Sequence, residues 1–306
     1  MSSPSSRPSS ALLTFTIVAA SAVCFSSKGV MAKAAYRHGA DALTVLGLRM
    51  LLATPIFLIT AWIGQHRSRL PLEKGDGWRL LGLGFLGYYL SSVMNFVGLQ
   101  FISAGLERMI LYAYPTLVVL GGWMMGRGAP TGRTLLACGL AYGGIVLAFA
   151  GEVARPHATP GHIALGAGLV FASAVTYAAF ILLSGPVVQR VGAARFTSLV
   201  SGASGLMVML HLLVTGHGST LLTQPRPVYQ WAVAIALFGT LLPSYLLGFG
   251  LRRAGPQRFA VISSVGPLMT LLLANGLLGE TVTLAQAAGF SMSLLGGLAV
   301  SLTGKR

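Results

Sequence analysis

Ten stretches of roughly twenty residues run almost without a charged side chain, at about 12–35, 42–63, 78–98, 103–125, 133–151, 162–184, 195–216, 229–250, 257–279 and 283–303. A backbone in hydrocarbon must satisfy its N–H and C=O groups internally, so stretches of this kind cross a bilayer as helices. The expected fold class is an all-α polytopic membrane protein with ten transmembrane helices. Charged residues make up 9% of the 306, against about 25% in a soluble chain, and mean hydropathy is +0.76. A soluble enzyme, a disordered chain and a disulfide scaffold are excluded on those figures. Cys24 and Cys138 are the two cysteines; both lie in apolar runs and read as packing residues. Residues 1–10, MSSPSSRPSS, read as a disordered tail. The run Ala11–Val30 reads as the first span, because it is too long for a signal peptide and nine more apolar runs follow.

The chain carries 21 basic residues against 6 acidic ones, a formal +15. With the N-terminus and alternate connections placed on side A, that side holds fourteen of the basic residues: Arg7, Arg67, Arg69, Lys74, Arg79, Arg127, Arg133, Arg190, Arg195, Arg252, Arg253, Arg258, Lys305 and Arg306. Side B holds four: Lys33, Arg37, Arg155 and Arg226. Lys28, Arg49 and Arg108 fall within spans. Positive charge collects on the cytoplasmic side of membrane proteins, so both termini are expected in the cytoplasm, where the basic loops meet anionic lipid. The excess therefore needs no nucleic acid. Trp62, Trp78, Trp123 and Trp231 all fall near span ends, as an aromatic belt requires.

A shift of 152 residues lays Gly98, Leu99, Ile110, Pro115, Leu120 and Thr131 on Gly250, Leu251, Ile262, Pro267, Leu272 and Thr283. Two repeats of five spans follow, at 11–152 and 160–304. An odd number of spans makes the second copy enter the membrane from the opposite face. That is an inverted repeat, an architecture of secondary transporters with substrate bound near the midplane. Pro115 and Pro267 each remove a backbone donor, and the matched pair is a candidate for gating.

Several stretches resemble a known family. FSSKGVMAK at 25–33, LRMLLATP at 48–55, GLQFISAGLERMILYAYPTLVVLGGWMMGR at 98–127 and SSVGPLMTLLLANGLLGETVTLAQAAG at 263–289 resemble the first, second, fourth and ninth spans of the EamA family, in the drug/metabolite transporter superfamily. Two positions depart from the pattern: Gly126-Arg127 stands where the second copy reads Gly279-Glu280, and Phe25 where Trp is common. The resemblance implies a ten-helix inner-membrane carrier with a cavity walled by spans one, three, four, six, eight and nine. Its members move amino acids, drugs, sugars and other metabolites, so it implies no single substrate.

An ionisable group at membrane depth costs at least about 2.5–3.5 kcal/mol and marks function by default. Lys28 and Arg49 each lie eight residues from a side B span end, about 12 Å deep at 1.5 Å per residue. Glu107 lies about 6 Å deep by the same rise, and Arg108 follows it about 100° round the helix. Lys28 is read as a binder of an anionic group with Glu107 as its resting partner, and Glu107 as a carrier of a coupling proton. Arg49 is assigned to the structural or gating set. Asn95, Tyr112, Tyr114, Tyr177, Tyr245 and Asn275 complete the substrate-binding candidates, with Tyr88, Tyr89 and Ser244 as further polar groups in spans. A tyrosine-lined cavity with few charges suits a small amphipathic solute. Gly82, Gly84 and Gly87 fit G-x-G-x-x-G, but no strand precedes them and no acid follows at the required distance. His157 and His162 have no further ligand nearby for a metal, and no nucleophile–base constellation can be assembled. The expectation is a monomeric or homodimeric exporter of a small metabolite, with no catalytic residue, no metal and no cofactor beyond a coupling proton. A passive facilitator or exchanger of the same fold stands as the alternative, and a lipid-handling protein behind it.

Overall fold

The computed structural model describes residues 8–67, 72–126, 128–155, 159–246, 262 and 265–303. Helix α1 (Pro8–Tyr36) begins inside the segment read as a tail; α2 (Ala42–Arg67) follows after a short turn. Span three is one continuous rod built of α3 (Asp76–Gly84), a wider-wound π-type segment (Phe85–Leu90) and α4 (Ser91–Leu99). Span four is broken into α5 (Ala104–Leu111) and α6 (Tyr114–Met124). Then come α7 (Gly132–Val153), α8 (Pro160–Val191) and α9 (Ala193–Val214). After them, α10 (Arg226–Ala236) runs into a second π-type segment (Leu237–Leu241), and α11 (Val265–Leu278) and α12 (Leu284–Thr303) close the described chain. Seven of these stretches are long and apolar enough to cross a membrane: within α1, α2, α3–α4, α7, α8, α9 and Arg226–Leu246. Helices α11 and α12 are apolar but shorter over their described length. The expected eighth and ninth spans lie partly outside the described residues.

The break in span four falls at Tyr112–Ala113, just before Pro115. Pro115 sits in the first turn of α6, where its missing N–H has no intrahelical acceptor to lose. The proline thus starts a helix instead of kinking one. Pro267 likewise sits in the first described turn of α11.

The two halves repeat one another in detail. The π-type segments stand 152 residues apart, each with a central glycine, Gly87 and Gly239. Thr131 and Thr283, paired by the same shift, both cap a last span: the Thr134 N–H donates to Thr131 Oγ1 (3.3 Å) and the Gln286 N–H to Thr283 Oγ1 (3.2 Å). Contacts between the halves are reciprocal. A Cβ on Gly87 would meet the Phe180 ring, and one on Gly239 would meet the Lys28 side chain; the shift exchanges the two pairs. On the most extensive helix pair, α7 with α12, Gly144 abuts Gly289 and Gly296 abuts Ala137 and Ala141. The shift carries Gly144 to Gly296 and Ala137 to Gly289, so this contact is self-complementary as well.

Side chains tie helix ends together around the basic residues assigned to side B. Lys33 Nζ donates to the Ile102 carbonyl (2.5 Å) and the Leu99 carbonyl (3.4 Å) at the end of α4. Arg37 donates to the Leu278 carbonyl at the end of α11. Arg155 donates to the Thr281 carbonyl (2.5 Å) and to Gln286 Oε1 (2.8 Å). Three of the four basic residues that break the charge asymmetry are therefore tied to protein acceptors, two of them on the orphan carbonyls of helix ends.

Candidate functional site

Helix α5 carries Glu107 and Arg108 and is fixed at its N-terminus by two carboxylates. Ser103 caps it, its hydroxyl accepting from the Leu106 N–H (3.2 Å). Glu152, from the last turn of α7, accepts from the Ser103 N–H (2.8 Å) and Ser103 Oγ (2.6 Å), and Gln286 Nε2 donates to the same carboxylate (2.7 Å). Glu280, beyond α11, accepts from the Ala104 N–H (3.2 Å). Two anions at one helix start suit its dipole and its free N–H groups. Gly279 makes this reach possible: its left-handed φ of 62° turns the chain back at the end of α11 at little steric cost. Burial pushes the Glu280 carboxyl above the ordinary carboxylate range, the Glu152 charge adds to that, and Lys33, the Ala104 N–H and Arg155 oppose it. A small cleft lies behind α5, lined by Ser103, Leu106, Met109, Arg155, Glu280 and Gln286 among others. It adjoins this capping network, and Lys28 and Glu107 are not among its lining residues.

One turn deeper, α1, α2 and α5 bring charge together, and α4 adds Asn95 and Phe96. Glu107 is buried, 2% exposed, and Asn95 Nδ2 on α4 donates to its Oε1 at 2.7 Å. The other oxygen faces α1: a Cβ on Gly29 would lie 3.0 Å from Oε2. Lys28 makes no ion pair with Glu107; its Nζ stands 5.7 Å from the centroid of the Phe96 ring. Arg49, on α2, stands over the same ring at 4.7 Å and donates to Ser92 Oγ at 3.4 Å. Phe96 itself is fully buried, and its carbonyl accepts from the Tyr36 hydroxyl (3.0 Å). Arg108 Nη2 donates to Ser26 Oγ on α1 (3.0 Å). The second half supplies close walls: Gly239 against Lys28, Gly266 against Ser26 and Arg108, and Thr270, whose hydroxyl donates to the Ser26 carbonyl (3.1 Å). Lys28 and Arg108 are half-buried, whereas Arg49 is buried.

The structure gathers some of the residues singled out in the sequence and scatters others. Lys28, Arg49, Asn95 and Glu107 share this layer. Tyr114 and Tyr177 meet edge to face at 5.7 Å, and together with Tyr112 they lie within electrostatic reach of Arg108. Tyr112 also packs its ring where a Gly297 side chain would stand. Tyr245 lies apart, its hydroxyl 2.8 Å from Thr60 Oγ1. Asn275 is exposed, and its Nδ2 donates to the Glu280 carbonyl (3.2 Å) at the end of α11. Tyr88 stacks edge-on to Phe180, and Tyr89 shares a hydrogen bond with His211 Nδ1 (2.9 Å). Ser244 donates to the Thr240 carbonyl of its own helix (2.6 Å). Phe96, Ser26 and Glu152 escaped the sequence reading. Phe96 and Ser26 carry no charge, and Glu152 fell in a stretch read as a connection.

The EamA-like transporter family profile matches residues 12–150 and again 164–302. The chain belongs to the EamA-like transporter family. Each half of the chain thus carries one EamA unit, as the paired π-type segments and threonine caps suggest. A Bacillus subtilis (strain 168) protein named uncharacterized transporter YcbK is 32% identical over 272 residues, covering 87% of this chain and 86% of its own. A Synechocystis protein named uncharacterized transporter sll1319 is 26% identical over 267 residues, covering 82% and 78%. A solved crystal structure superposes with a TM-score of 0.62 over 98% of this chain and 99% of its own, at 16% identity; a likeness at that identity speaks to fold alone. The protein is a multi-pass membrane transporter of the EamA family.

Proposed function

We propose that this EamA protein is a secondary carrier that exports a small amphipathic metabolite across the inner membrane by alternating access. The observation that carries the reading is the convergence of Lys28, Arg49, Asn95, Glu107 and Arg108 in one buried layer, closed on its far side by Gly239, Gly266 and Thr270 of the other repeat. Charge at membrane depth is costly and is kept where a solute or ion is handled, and a repeat interface near the midplane is where secondary carriers bind. The reciprocal contacts support two inverted five-span repeats and ten spans in all. The fourteen basic residues on side A support cytoplasmic termini, with anionic lipid against the basic loops. Glu107 is the proton carrier in this reading, because its carboxylate is buried and held by a neutral amide.

The test is flux. Purified protein in proteoliposomes, loaded with an unlabelled metabolite pool, is expected to drive saturable counterflow of at least one labelled amphipathic metabolite, faster with a proton gradient directed opposite to the solute. Counterflow that ignores the gradient would make the protein a facilitator or exchanger. A chain that scrambles labelled lipid and moves no metabolite would end the carrier reading.

A further inference from the structure

The deep layer holds more positive charge than its carboxylate balances. Lys28, Arg49 and Arg108 stand against Glu107, a net charge of +2. Among the described residues the ion pairs join Arg190 to Glu73 and Asp76, far from this layer in the chain. The three deep cations have neutral partners instead. Lys28 and Arg49 both stand over the Phe96 ring, and a ring quadrupole attracts a cation without neutralising it. Arg108 has the Ser26 hydroxyl, and its Nε is buried with no acceptor among the described residues. A structural role would pair these charges, since an unpaired cation in low dielectric is the costly case.

The layer is also asymmetric in a telling way. The repeat-related position of Lys28 is Phe180, each side chain lying on the glycine of a π-type segment. One half fills this place with a ring and the other with the stem of a lysine, so the packing of the fold does not demand a cation there. Lys28 and Arg108 keep part of their surface open while Arg49 is closed off, so these two can meet a solute. They are near enough to repel one another through space. Tyr112, Tyr114 and Tyr177 stand near Arg108, the last two edge to face at 5.7 Å.

We propose that Lys28 and Arg108 together hold the oxyanion head of an organic anion whose apolar or aromatic body lies on the Tyr112–Tyr114–Tyr177 wall. The inference rests on the carrier reading for the place where solute binds, and adds the charge class of that solute. Arg108 supplies a planar fork of donors suited to an oxyanion, and Lys28 a mobile point charge. Phe96 is a positioning residue: it holds Lys28 and Arg49 by their charge and takes up none of their hydrogen-bond donors.

A matched series separates the outcomes: 3-phenylpropanoate, 3-phenylpropanamide and 3-phenylpropylamine share a body and differ in charge. With the purified full chain, the acid is expected to raise the unfolding temperature in proportion to the logarithm of its concentration, and the amide and amine to leave it unchanged. Lys28→Gln and Arg108→Gln each weaken the acid's apparent affinity at least about tenfold, the loss of one charge-assisted hydrogen bond. Arg108→Lys keeps the preference for acid over amide, and Phe96→Leu reduces it. If Lys28→Gln does not fold, the Arg108 pair decides. Stabilisation by the amine or amide equal to that by the acid, or by none of the three, overturns the inference. Counterflow of the amine without stabilisation by the acid sinks the anion and keeps the carrier. Stabilisation by the acid in a protein that drives no counterflow of any solute does the reverse.

Discussion

Lys28 lies with its stem against Gly239: a Cβ on that glycine would stand 3.2 Å from Lys28 Cβ and 3.3 Å from its Cγ. The repeat-related pair, Gly87 and Phe180, is tighter, and the atoms met there belong to a rigid ring. The same substitution should therefore do different things in the two halves. Gly87→Ala forces Phe180 against Tyr88, Tyr177 and Phe196 and should cost about 1–3 kcal/mol of stability, the usual range for overpacking. Gly239→Ala meets the flexible stem of a lysine, so it should cost less stability and instead move the ammonium group off Phe96. Thermal unfolding of both variants, with and without 3-phenylpropanoate, checks this. Equal destabilisation with equal ligand response would show that the two glycines serve packing alone.

Asn95 and Glu107 give a second prediction. Asn95 Nδ2 donates to Glu107 Oε1 at 2.7 Å, and its Oδ1 finds no donor among the described residues. The amide is therefore present for its NH2 group. Asn95→Ala leaves the Glu107 carboxylate without that donor and should destabilise by about 1.5–3 kcal/mol, as for hydrogen bonds to charged groups. Asn95→Asp sets a second carboxylate against the first and should destabilise more than Asn95→Ala. Glu107→Gln exchanges the charge for a neutral isostere and should fold close to wild type while abolishing any acceleration of counterflow by a proton gradient. A gradient response retained in Glu107→Gln would remove Glu107 from the coupling path.

Much of this was legible in the sequence because lipid imposes a coarse rule. Long uncharged runs mark spans, and a charge inside one stands out, which is how Lys28, Arg49 and Glu107 were found. The repeat was visible in the Thr131–Thr283 and Pro115–Pro267 pairs, because helix caps need particular residues and proline fits few places in a helix. Phe96 was not legible: its role comes from two cations arriving from α1 and α2, and nothing in an apolar run distinguishes one phenylalanine from another. Pairing was the other blind spot. Lys28 and Glu107 come together in the structure, but Asn95 holds the carboxylate, a choice made by side-chain direction between α4 and α5. Asn275 matched the pattern of a polar residue in a span, yet it serves the turn before Glu280.

The Glu152 network should be separable from the deep layer. Glu152 is the acceptor for three donors, the Ser103 N–H and hydroxyl and Gln286 Nε2, and it is buried. Glu152→Ala strands the Ser103 N–H at the start of α5 and the Gln286 amide, and should cost about 2–4 kcal/mol, since each unmet buried group costs roughly 1–3. Gln286→Ala removes one donor and leaves two, and should cost nearer 1 kcal/mol, the usual worth of a hydrogen bond. The double variant should fall short of the sum, because the two share one contact. Strictly additive losses in thermal unfolding would mean that Glu152 and Gln286 act independently.

Glu280 lies outside the long apolar helices, and its environment predicts how stability follows pH. Burial raises its carboxyl above the ordinary value in spite of Lys33, the Ala104 N–H and Arg155. A carboxyl raised on folding binds its proton more tightly in the folded state than in the unfolded one. Its contribution to stability is then fully present below the unfolded value and is lost as pH rises through the folded one. Glu280→Gln replaces the acid with a neutral group that can still accept from Ala104, so it should stabilise the protein at neutral pH and lose that advantage as the pH falls through the folded value, keeping none of it below about 4.3, the ordinary glutamate value. The comparison of wild type with Glu280→Gln across acid to neutral pH isolates this group, because the other five acidic residues are the same in both proteins. A variant less stable than wild type at neutral pH, with a deficit that shrinks on acidification, would mean that the ionised carboxylate gains more from Lys33 and the α5 N-terminus than burial takes away.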